Sequence, residues 1–194
     1  MQLITQLDRA ILFFLNHLGP DNAAREIVIR LIATGTMFIL AAIVLWLGLG
    51  RADGRQAFLR ALGSVVLAVA VGKILNQVME GDRPYVLFPE EVRHVELIVR
   101  PASFPSIHAV AAFGLTGGVL FGRYRLAGVV MLLLALLMIA ARVGAGVHWP
   151  SDVLGGGLIG LAMAGVFVGI QTHYWPRLGL VEDTQGEPSD DEMA

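Results

Sequence analysis

The sequence predicts an all-α protein, a polytopic transmembrane bundle of five to six helices. Three observations carry that prediction. Hydrophobic residues make up 56% of the 194 positions and charged residues only 15%, against about 25% charged in a soluble domain. The mean hydropathy is +0.69. Apolar runs are long enough to cross a bilayer, and clustered polar residues sit at their ends.

Residues 3–18 place Leu3, Leu7, Ile11, Phe14 and Leu18 at helical spacing. This amphipathic helix either packs against the bundle as a short first span, the preferred reading, or lies in the interface. Asp8 and Arg9, with no small-residue cleavage site, argue against a cleaved signal peptide. Residues 31–50 contain no charge and suffice for a span. Residues 57–79 form another, broken by Arg60 near its start and by Lys73. The runs 104–121, 126–142 and 153–175 give three more. In the last, Gly156, Gly160 and Ala164 recur every four residues. Small residues let a neighbouring helix approach closely, so this stripe reads as packing rather than chemistry. One membrane domain is expected over residues 1–176, followed by an acidic tail, 177–194. The tail has little apolar content and is expected to be disordered.

Alternating spans place the short links 51–56 and 122–125 at one face, and the connections 80–103 and 143–151 at the other. Arg51, Arg55, Arg123 and Arg125 on the short links favour the cytoplasm for that face, while Arg93 and Arg100 reduce the bias. The opposite face is therefore expected to look outward from a bacterial inner membrane. In the longer connection, Pro89 to Arg100 mixes acids, Arg93, His94 and apolar residues. It reads as a surface helix lying on the membrane; the sharper alternative is a lid that meets a headgroup. Six acids lie after Arg177, leaving 14 bases against 10 acids up to and including that residue, a charge of +4. Such a body suits anionic lipid rather than nucleic acid. With no cysteine in the chain, disulfides, thiolate nucleophiles and cysteine metal sites are excluded.

Three polar clusters carry the functional signal, because such groups are costly near a bilayer unless paired or wet. The strongest is Arg142, His148 and Asp152. Pro150 suits the first turn of a helix. A carboxylate four residues after a histidine is placed to accept its ring N–H, fix the tautomer and leave the other nitrogen to attack. The plainer reading is a structural His–Asp pair at a helix start. The second cluster is Pro105-Ser106-Ile107-His108. Helix-start N–H groups favour an anion, the Ser106 hydroxyl adds a donor, and His108 is suited to protonate a departing oxygen. Its plainer reading is a helix cap and a packed histidine. The first cluster, Asp82-Arg83-Pro84, supplies a guanidinium for bidentate phosphate contacts, or else an ordinary interfacial arginine. Together, two histidines, two arginines and one carboxylate are what metal-free phosphoryl transfer through a histidine requires.

In order and spacing, these residues resemble the type-2 phosphatidic acid phosphatase superfamily, which also contains vanadium haloperoxidases. Arg83-Pro84, Pro105-Ser106-Ile107-His108, and Arg142 with His148 and Asp152 match its pattern over about residues 57–172. The resemblance implies a bundle of that type, with His148 as a nucleophile that becomes phosphohistidine, Asp152 orienting it and His108 protonating the leaving group. It implies that Arg83, Ser106, Ile107 and Arg142 form the phosphate site, with no metal and no cofactor. Two positions depart. Asn76 stands where the family has lysine, and Ala141 where it has serine. Asn76 still offers an amide donor. Lys73, the chain's lysine, lies about one turn deeper and would have to bend back to reach phosphate.

The leading expectation is an integral membrane hydrolase of a lipid phosphate or pyrophosphate. Undecaprenyl pyrophosphate comes first among substrates, then phosphatidylglycerol phosphate or phosphatidic acid. Its partners would be the bilayer and the lipid substrate. The competing expectation, motivated by Asn76 and Ala141, is a weakened, lipid-phosphate-binding or transport-associated protein on the same scaffold. A vanadate-dependent oxidase is disfavoured, since the site is embedded in spans and the lysine is absent.

Overall fold

The computed structural model describes residues 2–50, 54–95 and 102–175. Every regular element among them is helical: α1 (Gln2–Asn16), α2 (Ala23–Arg30), a π-helical turn (Leu31–Gly35), α3 (Thr36–Gly50), α4 (Gly54–Val78), the short α5 (Pro84–Leu87), α6 (Ile107–Leu120), α7 (Arg125–Gly144) and α8 (Pro150–Tyr174). Four helical stretches are long and apolar enough to cross a membrane: Ala23–Gly50, Gly54–Val78, Arg125–Gly144 and Pro150–Tyr174. The expected tail falls outside the described residues, as do Arg51 and Arg100.

The first long helix starts earlier than the uncharged run suggested. Asn22 caps it, accepting from the Arg25 N–H at 2.9 Å. Arg25 and Arg30 then fit inside because backbone carbonyls take their charges. Arg25 donates to the carbonyls of Leu18 and Asn16, and Arg30 to that of Val95 at 3.0 Å. Charge ended the sequence-based span; satisfied charge does not end the helix.

The fifth apolar helix, α6, has only 14 residues. It is the hub of the bundle, packing on α3, α4, α7 and α8. Ala109, Val110, Ala112 and Val119 are fully buried along it. The α6–α8 contact is close because of the small-residue stripe. A Cβ on Gly160 would meet the Val110 carbonyl at 2.6 Å and the Gly114 N at 2.8 Å, and one on Gly156 would meet the Ser106 carbonyl at 2.8 Å.

The surface helix expected within Pro89–Arg100 is absent from its described part. Residues 89–95 are turn and irregular chain, preceded by α5; residues 96–101 lie outside the description. Local bonds from the Glu91 and Val92 N–H groups to the Phe88 carbonyl give way to long-range ones. The Arg93 N–H donates to Asn16 Oδ1 and the Val95 N–H to the Ala145 carbonyl. Val92 and Val95 are buried beneath. Gly146 makes room: its φ is +74°, and a Cβ there would meet Val92 at 2.4 Å.

Chain direction sets the site. The end of α3, the start of α4 and the α6–α7 link lie at one end of the bundle. The end of α4, the start of α6, the end of α7 and the start of α8 meet at the other. All three polar clusters lie there.

Candidate active site

The sequence fixes Asp152 locally. Trp149 is the N-cap of α8 in extended conformation, and Pro150 opens its first turn. Asp152, at the third helical position, accepts from the Trp149 N–H at 2.9 Å. The same oxygen, Oδ2, accepts from the Ser103 hydroxyl and lies 3.6 Å from His148 Nδ1. That separation exceeds a hydrogen bond, so the carboxylate faces the imidazole as a nearby charge. His148 is 2% exposed. Its pKa is lowered to about 4, first by burial and further by Arg142 and Arg83, with Asp152 opposing. The ring is thus neutral at physiological pH, the state a nucleophile needs.

Arg83 and Arg142 are 6% and 3% exposed. Arg83 donates to the Val147 carbonyl at 2.9 Å and to the Ala102 carbonyl at 3.2 Å. These bonds fix its guanidinium. Arg142 lies in the last turn of α7, where the helix dipole favours a cation. Ser106 is the N-cap of α6. Its fully buried hydroxyl has no hydrogen-bond partner among the described residues, an arrangement that a bound anion would complete.

A cavity of about 470 Å³ gathers Arg83, Ile107, His108, Arg142, His148 and Asn76. Thr34, Met37 and Phe38, from the π-helical turn and the start of α3, line it too. Thr34 and Phe38 are also exposed on the outer surface. Sequence reasoning missed this wall, because nothing in an uncharged apolar run marks where its helix widens.

Lys73 is exposed on α4 and lies outside the cavity lining. Asn76 does line it, but its amide donates to the Phe104 carbonyl at 2.9 Å. Glu80 and Asp82 line a neighbouring cleft of about 750 Å³, which also borders Asn76. Among the described residues, no three His, Asp or Glu side chains stand together as a metal ion would require.

Ser103 is the main residue missed. It belongs to a strap, 102–106, that joins the three clusters. Arg83 holds the Ala102 carbonyl, the Ser103 N–H donates to the Gly81 carbonyl, and Asn76 holds the Phe104 carbonyl. The Ser103 hydroxyl and the Ser106 N–H both end on Asp152, at its side chain and its carbonyl. The one available signal was a serine beside a motif in an apolar setting.

Fold and site together define a multi-pass helical membrane protein with histidines and arginines converging on one cavity. The chain belongs to the PAP2 superfamily, whose family model matches residues 57–175. It is 29% identical over 172 residues to the bacitracin transport permease protein BcrC of Bacillus licheniformis, covering 87% of this chain and 80% of that protein. It is 30% identical over 154 residues to the putative undecaprenyl-diphosphatase YbjG of Escherichia coli K12, covering 77% and 76%. Its fold is similar to Aquifex aeolicus LpxE (TM-score 0.71, 21% identity, 84% of this chain and 95% of that one). It is also similar to the PAP2-type phosphatidylglycerolphosphate phosphatase of Bacillus subtilis (TM-score 0.66, 20% identity, 89% and 88%).

Proposed function

We propose that this protein hydrolyses a lipid phosphate or pyrophosphate through a phosphohistidine, with undecaprenyl pyrophosphate as the preferred substrate. The observation that carries the reading is the cavity on which His148, His108, Arg83 and Arg142 converge. Family membership sets the reaction class, and the likeness to YbjG, a putative undecaprenyl-diphosphatase, favours the substrate.

In the first step His148 Nε2 attacks phosphorus and the P–O bond to the leaving group breaks. A protonated His108 gives its proton to the departing oxygen. In the second, water attacks the phosphohistidine, neutral His108 takes a proton from that water, and the P–N bond breaks to release inorganic phosphate. Arg83, Arg142 and the Ser106 hydroxyl hold the phosphoryl oxygens throughout. Asp152 faces the cation that forms on His148. Arginines supply the positive charge, so no metal ion enters these steps. Met37 and Phe38 give the cavity an apolar side where a lipid chain arriving through the bilayer would rest. Arg55, Arg123 and Arg125 at the far end support an outward-facing site.

One observation favours a second reading. Asn76 spends an amide donor on Phe104 where the family pattern has a cation, an arrangement suited to a protein that binds lipid phosphate with little turnover. Purified protein in detergent separates the two. It should release phosphate from a panel of lipid phosphates and pyrophosphates, fastest from undecaprenyl pyrophosphate, with EDTA present. His148→Ala should abolish release, and vanadate should inhibit it. Binding of the lipids without release would establish the second reading.

A further inference from the structure

The helix α1 lies outside the residues matched by the family, yet it touches the nucleophile's turn at several points. Asp8 Oδ1 accepts from the Ser151 N–H at 2.9 Å, and Oδ2 from the Ser151 hydroxyl at 2.7 Å. Ser151 stands between Pro150 and Asp152, three residues from His148. At the other end of the turn, Asn16 is fully buried and donates to the Gly144 carbonyl at 2.9 Å. Between these two contacts the Phe13 ring meets Phe88, and Phe88 meets Trp149, both edge to face. The Arg9 guanidinium sits 5.1 Å from the Phe88 ring centroid.

Asp8 and Asn16 are eight residues apart, about 12 Å along a helix. Their partners, Ser151 and Gly144, start one membrane helix and end another at the same face. So α1 runs across that face. Leu7, Ile11 and Phe14 remain exposed along it, and Leu18 just past its end, as an interfacial helix requires.

We propose that Asp8 is a positioning residue for the proposed reaction: α1 lies in the membrane interface and braces the turn 144–151 on which His148 stands. Two bonds to one charged carboxylate hold the first turn of α8, and that turn carries Asp152. Without them the turn gains freedom, and the imidazole spends less time aligned for attack.

The kinetic arm rests on the lipid phosphatase reading; a second arm does not. Asp8→Ala should lower kcat about tenfold, as loss of bonds to a charged group would, and leave KM within about twofold. Asp8→Asn offers an acceptor to the Ser151 N–H and a donor to its hydroxyl, and should restore most of the rate. Ser151→Ala, which removes only the hydroxyl bond, should lower kcat about threefold and serves if Asp8→Ala folds poorly. Independently, deuterium uptake in 145–152 should rise in Asp8→Ala and return in Asp8→Asn. Unchanged kcat and unchanged uptake would overturn the proposal, as would a pure KM effect. If the wild-type protein releases no phosphate, the phosphatase reading fails and deuterium uptake alone decides the brace.

Discussion

At the scale of single residues, Asp152 carries more than one task. Its Oδ2 caps α8 through the Trp149 N–H, anchors the 102–106 strap through Ser103 and faces His148 at 3.6 Å. A carboxylate so shared cannot rotate toward the imidazole without giving up a donor. Ser103→Ala should therefore lower kcat roughly tenfold to a hundredfold, the range expected for a hydrogen bond to a charged group. Ser103→Thr, which keeps the hydroxyl, should recover much of it. Steady-state kinetics of both variants check this, and a fully active Ser103→Ala would remove Ser103 from the site. His148, Asp152 and both arginines were legible in the sequence because charge in an apolar chain demands a reason. Ser103 was not, since its partner is 49 residues away and a serine costs little to bury. Nor could the sequence show that Asn76 turns its amide to a backbone carbonyl.

At the scale of elements, the bundle depends on α6 and α8 touching backbone to backbone. That contact aligns Ser106 and His108, at the start of α6, with Asp152, at the start of α8. Gly160→Leu would drive a side chain into the Val110 carbonyl and the Gly114 N. It should cost about 1–3 kcal/mol, the range for overpacking, and appear as a lowered thermal midpoint in detergent. Gly165→Leu is the control, because a Cβ there has its nearest contact at 3.9 Å. The membrane helices were legible from apolar runs, and the packing stripe from its four-residue spacing. In residues 89–95 the expected surface helix does not form, for a physical reason: Asn16 and Ala145 take the backbone N–H groups of Arg93 and Val95, and a space beside Gly146 takes the Val92 side chain. Amphipathic periodicity identified α1, but no local pattern could reveal that it reaches Ser151.

At the scale of the whole molecule, alternating helices bring residues as far apart in sequence as Arg83 and Asp152 to one end of the bundle. The remaining cationic links sit at the other. The cavity is polar where the clusters meet and apolar where Met37 and Phe38 face it, matching an amphiphile with a phosphate head. The chain's PAP2 superfamily membership frames the proposal of covalent catalysis at His148. The most direct test is to trap the intermediate. Protein incubated briefly with undecaprenyl pyrophosphate radiolabelled at its terminal phosphate, then denatured in base, should carry label on the peptide containing His148. The label should be acid-labile, should chase into inorganic phosphate, and should vanish in His148→Ala. Turnover with no label on His148, or turnover that survives His148→Ala, would contradict the account.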